Sequence, residues 1–385
     1  MKPISEIVRS TPASGIRRFF DVVSKMPEAI SLGVGEPDFA TPWHIREACI
    51  YSLERGRTGY TSNYGLEELR VAIAAYFRKH ESLEYNPENQ ILITVGVSEG
   101  MDLAMRALLN PGDEVICPEP CYVSYKPCIL FAGGVPVTIP TTQETAFRVE
   151  PERVRAAITP RTKAILISYP SNPTGAVATR ELLEQIVAIA REHDLFIITD
   201  EIYDRLTYDG RHTCLPTLPG AYDRTVLLNG FSKAYAMTGW RIGYAAGDPE
   251  IIEAMMKIHQ YTMLCAPIMG QIAALEAISS GYDASQEMIE QYDQRRRVIV
   301  KGLNDAGLDC LMPGGAFYAF PSIRRTQMSS EEFSERLLME EKVAVVPGTA
   351  FGECGEGHIR CSYATSIDKI EQALERIARF VGSSG

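Results

Sequence analysis

The sequence has no C-x-x-C pair and no His-x-x-x-His, and its nine cysteines stand singly. That spacing argues against a zinc site and against a disulfide framework. It reads as reduced, mostly buried thiols in a cytoplasmic protein. No apolar run approaches the ~20 residues that a membrane-crossing helix needs. The first ten residues, MKPISEIVRS, have no apolar centre of signal-peptide type. An excess of positive charge is also missing. The formal net charge of −11 argues against a nucleic-acid binder, which needs a basic face. The small basic clusters at Arg17–Arg18, Arg295–Arg297 and Arg324–Arg325 read as solvated helix or loop faces. There is no internal repeat and no low-complexity block. Gly33-x-Gly35 lacks the third glycine of a dinucleotide fingerprint, and Pro37 breaks the helix that should follow. A tight turn is the better reading there.

What the chain does have is the make-up of an ordinary globular enzyme. Its 385 residues are too many for one simple core, so two domains are expected. An irregular arm with one helix, about Ser14–Lys25, should open the chain. Amphipathic helices are expected over 42–55 and 65–80. Between 91 and 250, apolar runs occur at Ile91–Val95, Glu114–Cys117, Val135–Ile139, Lys163–Ser168, Leu195–Thr199 and Thr225–Leu228. Helical periods such as Glu99–Leu109 and Arg180–His193 separate most of them. Strands alternating with helices predict an α/β fold with a mostly parallel, doubly covered sheet. Long helices (249–279 and 284–306) follow. A smaller α+β tail then carries strand-like segments at Ala316–Phe320, Val343–Val346 and His358–Cys361, and a last helix over 366–381.

Ligands of open parallel sheets bind beyond the carboxyl ends of the strands. Gly96-Val-Ser-Glu-Gly100 opens a helix after the first run, and free backbone N–H groups with the Ser98 hydroxyl make an anion site. Tyr169-Pro-Ser-Asn-Pro-Thr-Gly175 presents Asn172 after the fourth run. Asp200-Glu-Ile-Tyr203 follows the fifth. The sixth leads into Asn229–Gly243, NGFSKAYAMTGWRIG, with Lys233 and Arg241. A lysine near apolar residues and beside another cation loses part of its preference for the protonated form, and can attack an aldehyde. Each residue also has a plain reading: Ser98 or Asp200 as a helix cap, Asn172 as a turn residue, Tyr203 as core, Lys233 and Arg241 as solvated loop cations. Together they fit one chemistry. An aldehyde cofactor with a phosphate and a pyridine ring needs a lysine, an acid under the ring nitrogen, a donor to the ring hydroxyl and an anion site; that cofactor is pyridoxal phosphate.

On the lysine block, on Ser171-Asn-Pro-Thr-Gly175 and on Asp200-Glu-Ile-Tyr203, the sequence resembles the class I/II aminotransferases. These are fold type I pyridoxal-phosphate enzymes, and the closest likeness is to the bacterial and archaeal branch with aspartate, aromatic and broad-specificity members. The likeness runs from Gly35-Glu-Pro-Asp-Phe39 to Arg360-Cys-Ser362. It implies that Lys233 condenses with the cofactor's aldehyde and later moves the substrate proton. Asp200 would hold the pyridinium proton, and Tyr203 and Asn172 would donate to the ring hydroxyl oxygen. The Val97 and Ser98 amides, the Ser98 hydroxyl and Arg241 would hold the phosphate, with Tyr122 stacked on the ring. Tyr60, five residues before Gly65, would reach the neighbouring subunit's phosphate in a homodimer. Gly35, Asn172 and Arg360 would bind substrate, the arginine clamping its α-carboxylate as a fork that lysine cannot supply. The domains implied are an N-terminal arm with part of the small domain (1–45), a large cofactor-binding domain (46–285) and a small C-terminal domain (286–385). Two departures stand out: Gly230 replaces a serine of many relatives that contacts phosphate, and Val97 replaces a small residue.

The activity expected is ping-pong transfer of an amino group from an L-amino acid to a 2-oxo acid, 2-oxoglutarate by preference. A carbon–sulfur β-lyase of the same fold uses the same Lys, Asp, Tyr and Arg, and is the alternative. A non-catalytic regulator with an aminotransferase-like domain is a remote one, because the arm before Gly33 is too short for a helix-turn-helix. The stretches that reach the substrate side chain offer Ile16, Leu32, Val34 and Tyr122, with Arg17 and Arg18 as the nearby cations. That lining predicts a broad enzyme accepting neutral or aromatic donors.

Overall fold

The computed structural model describes residues 2–13, 15 and 26–383. Apart from Gly15, the helix expected over 14–25, with Ile16, Arg17 and Arg18, lies outside the described residues. The main feature is a seven-stranded sheet. Its strands are β2 (Ile91–Thr94), β3 (Glu114–Glu119), β4 (Val135–Pro140), β5 (Thr162–Ser168), β6 (Phe196–Asp200), β7 (Thr225–Gly230) and β8 (Gly243–Ala246). Their spatial order is β2-β8-β7-β6-β5-β3-β4. The run from β4 to β7 is parallel. β8 is antiparallel to both β2 and β7, so β2 shares the direction of the parallel strands. The carboxyl ends of β2, β3, β5, β6 and β7 therefore share one edge.

Both faces of this sheet are covered, which is why its strands read as unbroken apolar runs. Leu92, Leu166, Ile198, Val226 and Leu228 face the helices Gly96–Leu108 and Pro249–Thr262. The alternate residues Ile165, Ile167 and Ile197 pack with Leu183, Ile186 and Val187 of helix Arg180–Glu192. A second unit holds β11 (Val346–Pro347), β12 (Ile359–Ser362) and β9 (Tyr318–Ala319), antiparallel in that order. Helices Tyr282–Asp305, Ser330–Glu341 and Ile367–Ser383 accompany it. β1 (Ile30–Ser31) pairs in parallel with β10 (Val343–Ala344), so residues just after the N-terminal arm join the C-terminal part of the chain.

Three expectations need correction. β8 had no counterpart in the sequence reading. The single helix expected over 249–279 is two, Pro249–Thr262 and Ile268–Ser280. Pro267 lacks an N–H for the helical ladder, and Leu264 turns left-handed at φ 69°. The run Val343–Val346 is divided between β10 and β11, which belong to different sheets. No helix among the described residues is long and apolar enough to cross a membrane.

Candidate active site

β7 is buried along its whole length and ends at Gly230, three residues before Lys233. A Cβ at Gly230 would lie 2.9 Å from the Gly243 Cα and 3.0 Å from the Ile242 carbonyl oxygen. The close approach of β8 thus leaves no room for the serine of many relatives. Lys233 is half-buried, and its Nζ donates to the Gly35 carbonyl at 2.7 Å. The rings of Tyr203 and Phe317 have their centroids 5.8 and 5.7 Å from that nitrogen. Burial pushes the amine down to about 8; Arg360 and Arg241 add to the shift, while Glu36 and Asp200 oppose it. The neutral amine is the nucleophilic form. The rate at which the free protein captures an aldehyde should therefore climb with pH and level off just above 8. A rate still rising steeply near pH 10, as for an ordinary lysine, would contradict this environment.

Asp200 is the last residue of β6 and is 5% exposed. No helix follows it, so it is not a helix cap; turns do. Oδ2 accepts from the Tyr125 hydroxyl at 2.7 Å and Oδ1 from the Ile202 N–H at 3.2 Å. Burial raises its pKa to about 6, against the lowering effect of those two donors. The sequence reading stopped at Tyr122 and missed Tyr125. The signal was present: Tyr125 lies three residues on, at the start of helix Tyr125–Phe131, and its ring meets that of Tyr122 edge-on at 5.6 Å.

Arg360, in β12, is fully enclosed. Nη1 donates to Asn172 Oδ1 at 2.9 Å and Nη2 to the Gly33 carbonyl at 2.6 Å. Its guanidinium lies over the rings of Tyr318 and Phe351, and Nε has no partner. No carboxylate among the described residues comes within 4 Å of it. Burial alone lowers its affinity for a proton. Tyr318 is the second missed residue. Its hydroxyl is 2.7 Å from that of Tyr203, and a Cβ at Gly35 would fall 2.8 Å from it. Only glycine lets the 33–36 strap lie this close to both Lys233 and Tyr318.

At the end of β2, helix Gly96–Leu108 begins, with Ser98 exposed on its first turn. A Cβ at Gly96 would strike the Arg241 guanidinium at 2.5 Å. Arg241 itself is left-handed at φ 56°, and its Nη1 is tied to the Thr238 carbonyl at 2.9 Å. The helix start therefore offers N–H groups with no intrahelical partner beside a fixed cation. The valine at 97 leaves that turn helical.

An anion cradle, a buried carboxylate, a lysine with a lowered pKa and an enclosed guanidinium without an acid partner fit pyridoxal phosphate and an amino acid. The structure brings Lys233, Asp200, Tyr203, Asn172, Arg360, Gly35 and Arg241 to one sheet edge. It does not bring Tyr60 there, which is 85% exposed on the outer surface.

Comparison with known proteins agrees. Residues 27–377 match the family model for aminotransferase class I and II. A putative aminotransferase of Bacillus subtilis, YugH, is 52% identical over 98% of each chain. An aspartate aminotransferase of Pyrococcus abyssi is 45% identical over 95% of each. The crystal structure of an aromatic aminotransferase from Pyrococcus horikoshii superposes with a TM-score of 0.91 at 43% identity, covering 95% of this chain and 99% of that one. The chain belongs to the class I and II aminotransferases and is a pyridoxal-phosphate-dependent enzyme that transfers an amino group from an amino acid to an oxo acid.

Proposed function

We propose that this is a broad-specificity aminotransferase that uses 2-oxoglutarate as acceptor and holds every substrate by its α-carboxylate at Arg360. When bound, pyridoxal phosphate supplies the aldehyde that takes up the amino group and a ring that draws off the electrons left at the substrate carbon. Lys233 would hold the cofactor through its aldehyde, and its amine, once free, would carry the proton away from the substrate α-carbon. Asp200 binds the ring nitrogen. Tyr203 donates to the ring hydroxyl oxygen. Asn172 does so through Nδ2, because its Oδ1 already serves Arg360. The Val97 and Ser98 N–H groups, the Ser98 hydroxyl and Arg241 hold the phosphate, and Tyr122 packs on the ring. Gly35 and Asn172 flank the substrate.

One observation carries this reading: a fully buried arginine fork without a carboxylate. A buried charge without a counter-ion is heavily penalised, and an α-carboxylate completes this one. Arg360→Lys keeps the charge and loses the fork. It should raise KM for all amino donors and for the oxo acid by at least about tenfold, roughly 1.4 kcal/mol. An unchanged KM would remove Arg360 from the substrate site.

Val34 and Tyr122 would face the substrate side chain, whereas Leu32, expected there too, has no exposed surface and belongs to the core. Relatives named for aspartate and for aromatic substrates both align along nearly the full chain. Neutral or aromatic donors should match aspartate in kcat/KM. A preference for aspartate of a hundredfold, about 2.7 kcal/mol, would overturn this and point to Arg17 or Arg18.

The same reading divides the chain into 1–45, 46–285 and 286–385, supported by the pairing of β1 with β10. It also makes the enzyme a homodimer in which Tyr60 reaches the partner's phosphate. Tyr60 (85% exposed), Tyr261 (87%) and Met263 (50%) are large apolar side chains left open to solvent, and Asn63 is fixed to the Leu264 carbonyl at 2.9 Å. Sedimentation of the active enzyme should give a dimer, and a fully active monomer would refute it. Nine cysteines without a disulfide support a cytoplasmic location.

A further inference from the structure

The turn that would receive the phosphate contains a carboxylate. Glu99 sits on the first turn of helix Gly96–Leu108. A carboxylate on that turn is attracted by the unpaired N–H groups and the positive end of its own helix start, those of Val97 and Ser98 among them. Those are the groups a phosphate would use, and two anions at one helix N-terminus compete for the same donors. In this protein the Glu99 carboxylate is held on the inner side. Oε2 accepts the N–H of Val95, the residue before the helix, at 2.5 Å. Oε1 is 2.8 Å from Nδ1 of His259. His259 has no exposed side-chain surface, and its Nε2 has no partner. Glu99 is therefore the imidazole's one side-chain polar contact among the described residues. Val95 leads into Gly96, which is left-handed at φ 72°, so anchoring the Val95 N–H also fixes the turn.

We propose that His259 is a positioning residue for the phosphate site. By binding Glu99 from the core side, it keeps that carboxylate off the N–H groups of Val97 and Ser98 and leaves them for the cofactor's phosphate. This rests on the reading that the phosphate sits at this helix start. His259 touches neither cofactor nor substrate, and its influence runs through Glu99. The carbonyl of His259 also accepts the N–H groups of Met263 and Leu264 at 2.8 and 3.1 Å. The same residue thus ends the helix whose following turn holds Asn63, three positions from Tyr60.

The test is equilibrium binding to the free protein of pyridoxal phosphate and of pyridoxal, which lacks the phosphate. His259→Leu should weaken pyridoxal phosphate about tenfold, the effect of leaving a buried acceptor without its donor. Pyridoxal affinity should stay within about twofold. His259→Gln, whose amide can donate to Glu99, should recover most of the loss. Glu99→Gln in the His259→Leu background should do so as well, because it still accepts the Val95 N–H but is no longer an anion. Equal weakening of both aldehydes would mean a general packing defect and would overturn the proposal, as would unchanged affinity for both. Arg241→Ala serves as the control for the site itself. If it and the wild type bind the two aldehydes alike, the phosphate is not at this helix start, and the proposal falls with that reading rather than by itself.

Discussion

Lys233→Ala is expected to lower turnover by at least about 10⁴-fold while leaving the cofactor able to bind. The loss combines two roles in one atom. The amine is the covalent partner of the aldehyde, and it is the group beside the substrate carbon that carries the proton. Positioned acid–base groups contribute about 10²–10⁴ by themselves, so removing both roles should reach the upper end or exceed it. Binding should survive, because Arg241, the helix start at Gly96 and Asp200 do not depend on the amine to hold the cofactor. The measurement is single-turnover conversion of an amino acid, alongside retention of pyridoxal phosphate on gel filtration. Near wild-type turnover in the alanine variant would contradict the assignment of Lys233.

The second large effect is expected at Asp200. Asp200→Asn keeps the shape and removes the charge that would face the protonated ring nitrogen. Breaking such a buried pair costs roughly 3–5 kcal/mol, which corresponds to a rate loss of about 10²–10⁴. The free protein should move in the opposite direction. The folded pKa of Asp200 is raised from 3.8 to about 6 by burial. Between those values the folded chain holds a proton that the unfolded chain has released, so this group's contribution falls as pH rises through the window. Above about pH 6 the wild-type free protein bears a buried charge that asparagine lacks. Its Tm should then lie below that of Asp200→Asn, and the difference should vanish below about pH 4. Tyr125 limits this cost by donating to Oδ2. Without it the carboxylate would be harder to keep ionised. A variant that is nearly as active as wild type, or less stable than it at pH 7 without cofactor, would contradict this role.

These effects rest on residues that were legible for a physical reason. Parallel strands covered on both faces must be apolar throughout. The ends of β2, β5, β6 and β7 were therefore visible, and with them Ser98, Asn172, Asp200 and Lys233. β8 was not visible, because Gly243-Tyr-Ala-Ala246 is small and short. Small residues are what let β8 approach β7 and the helix start: a Cβ at Gly243 would lie 2.6 Å from the Val97 nitrogen. The lost serine at Gly230 read as a departure, and the reason for it is a neighbour in space. Tyr318 read as an ordinary strand residue, since its partner Tyr203 is 115 positions away. His259 falls without distinction inside the helix expected over 249–279, because its partner Glu99 is 160 positions off. Periodicity reports which face a residue occupies. It does not report which distant polar atom that face meets.

The most direct test of the central claim is to locate the covalent bond. The loaded enzyme is reduced with borohydride, digested, and the peptides weighed. The added pyridoxyl phosphate mass is expected on Lys233 alone, in the tryptic peptide Thr225–Arg241, which stays uncut at the modified lysine. The same mass on any other lysine, or no stable mass addition at all, would contradict it.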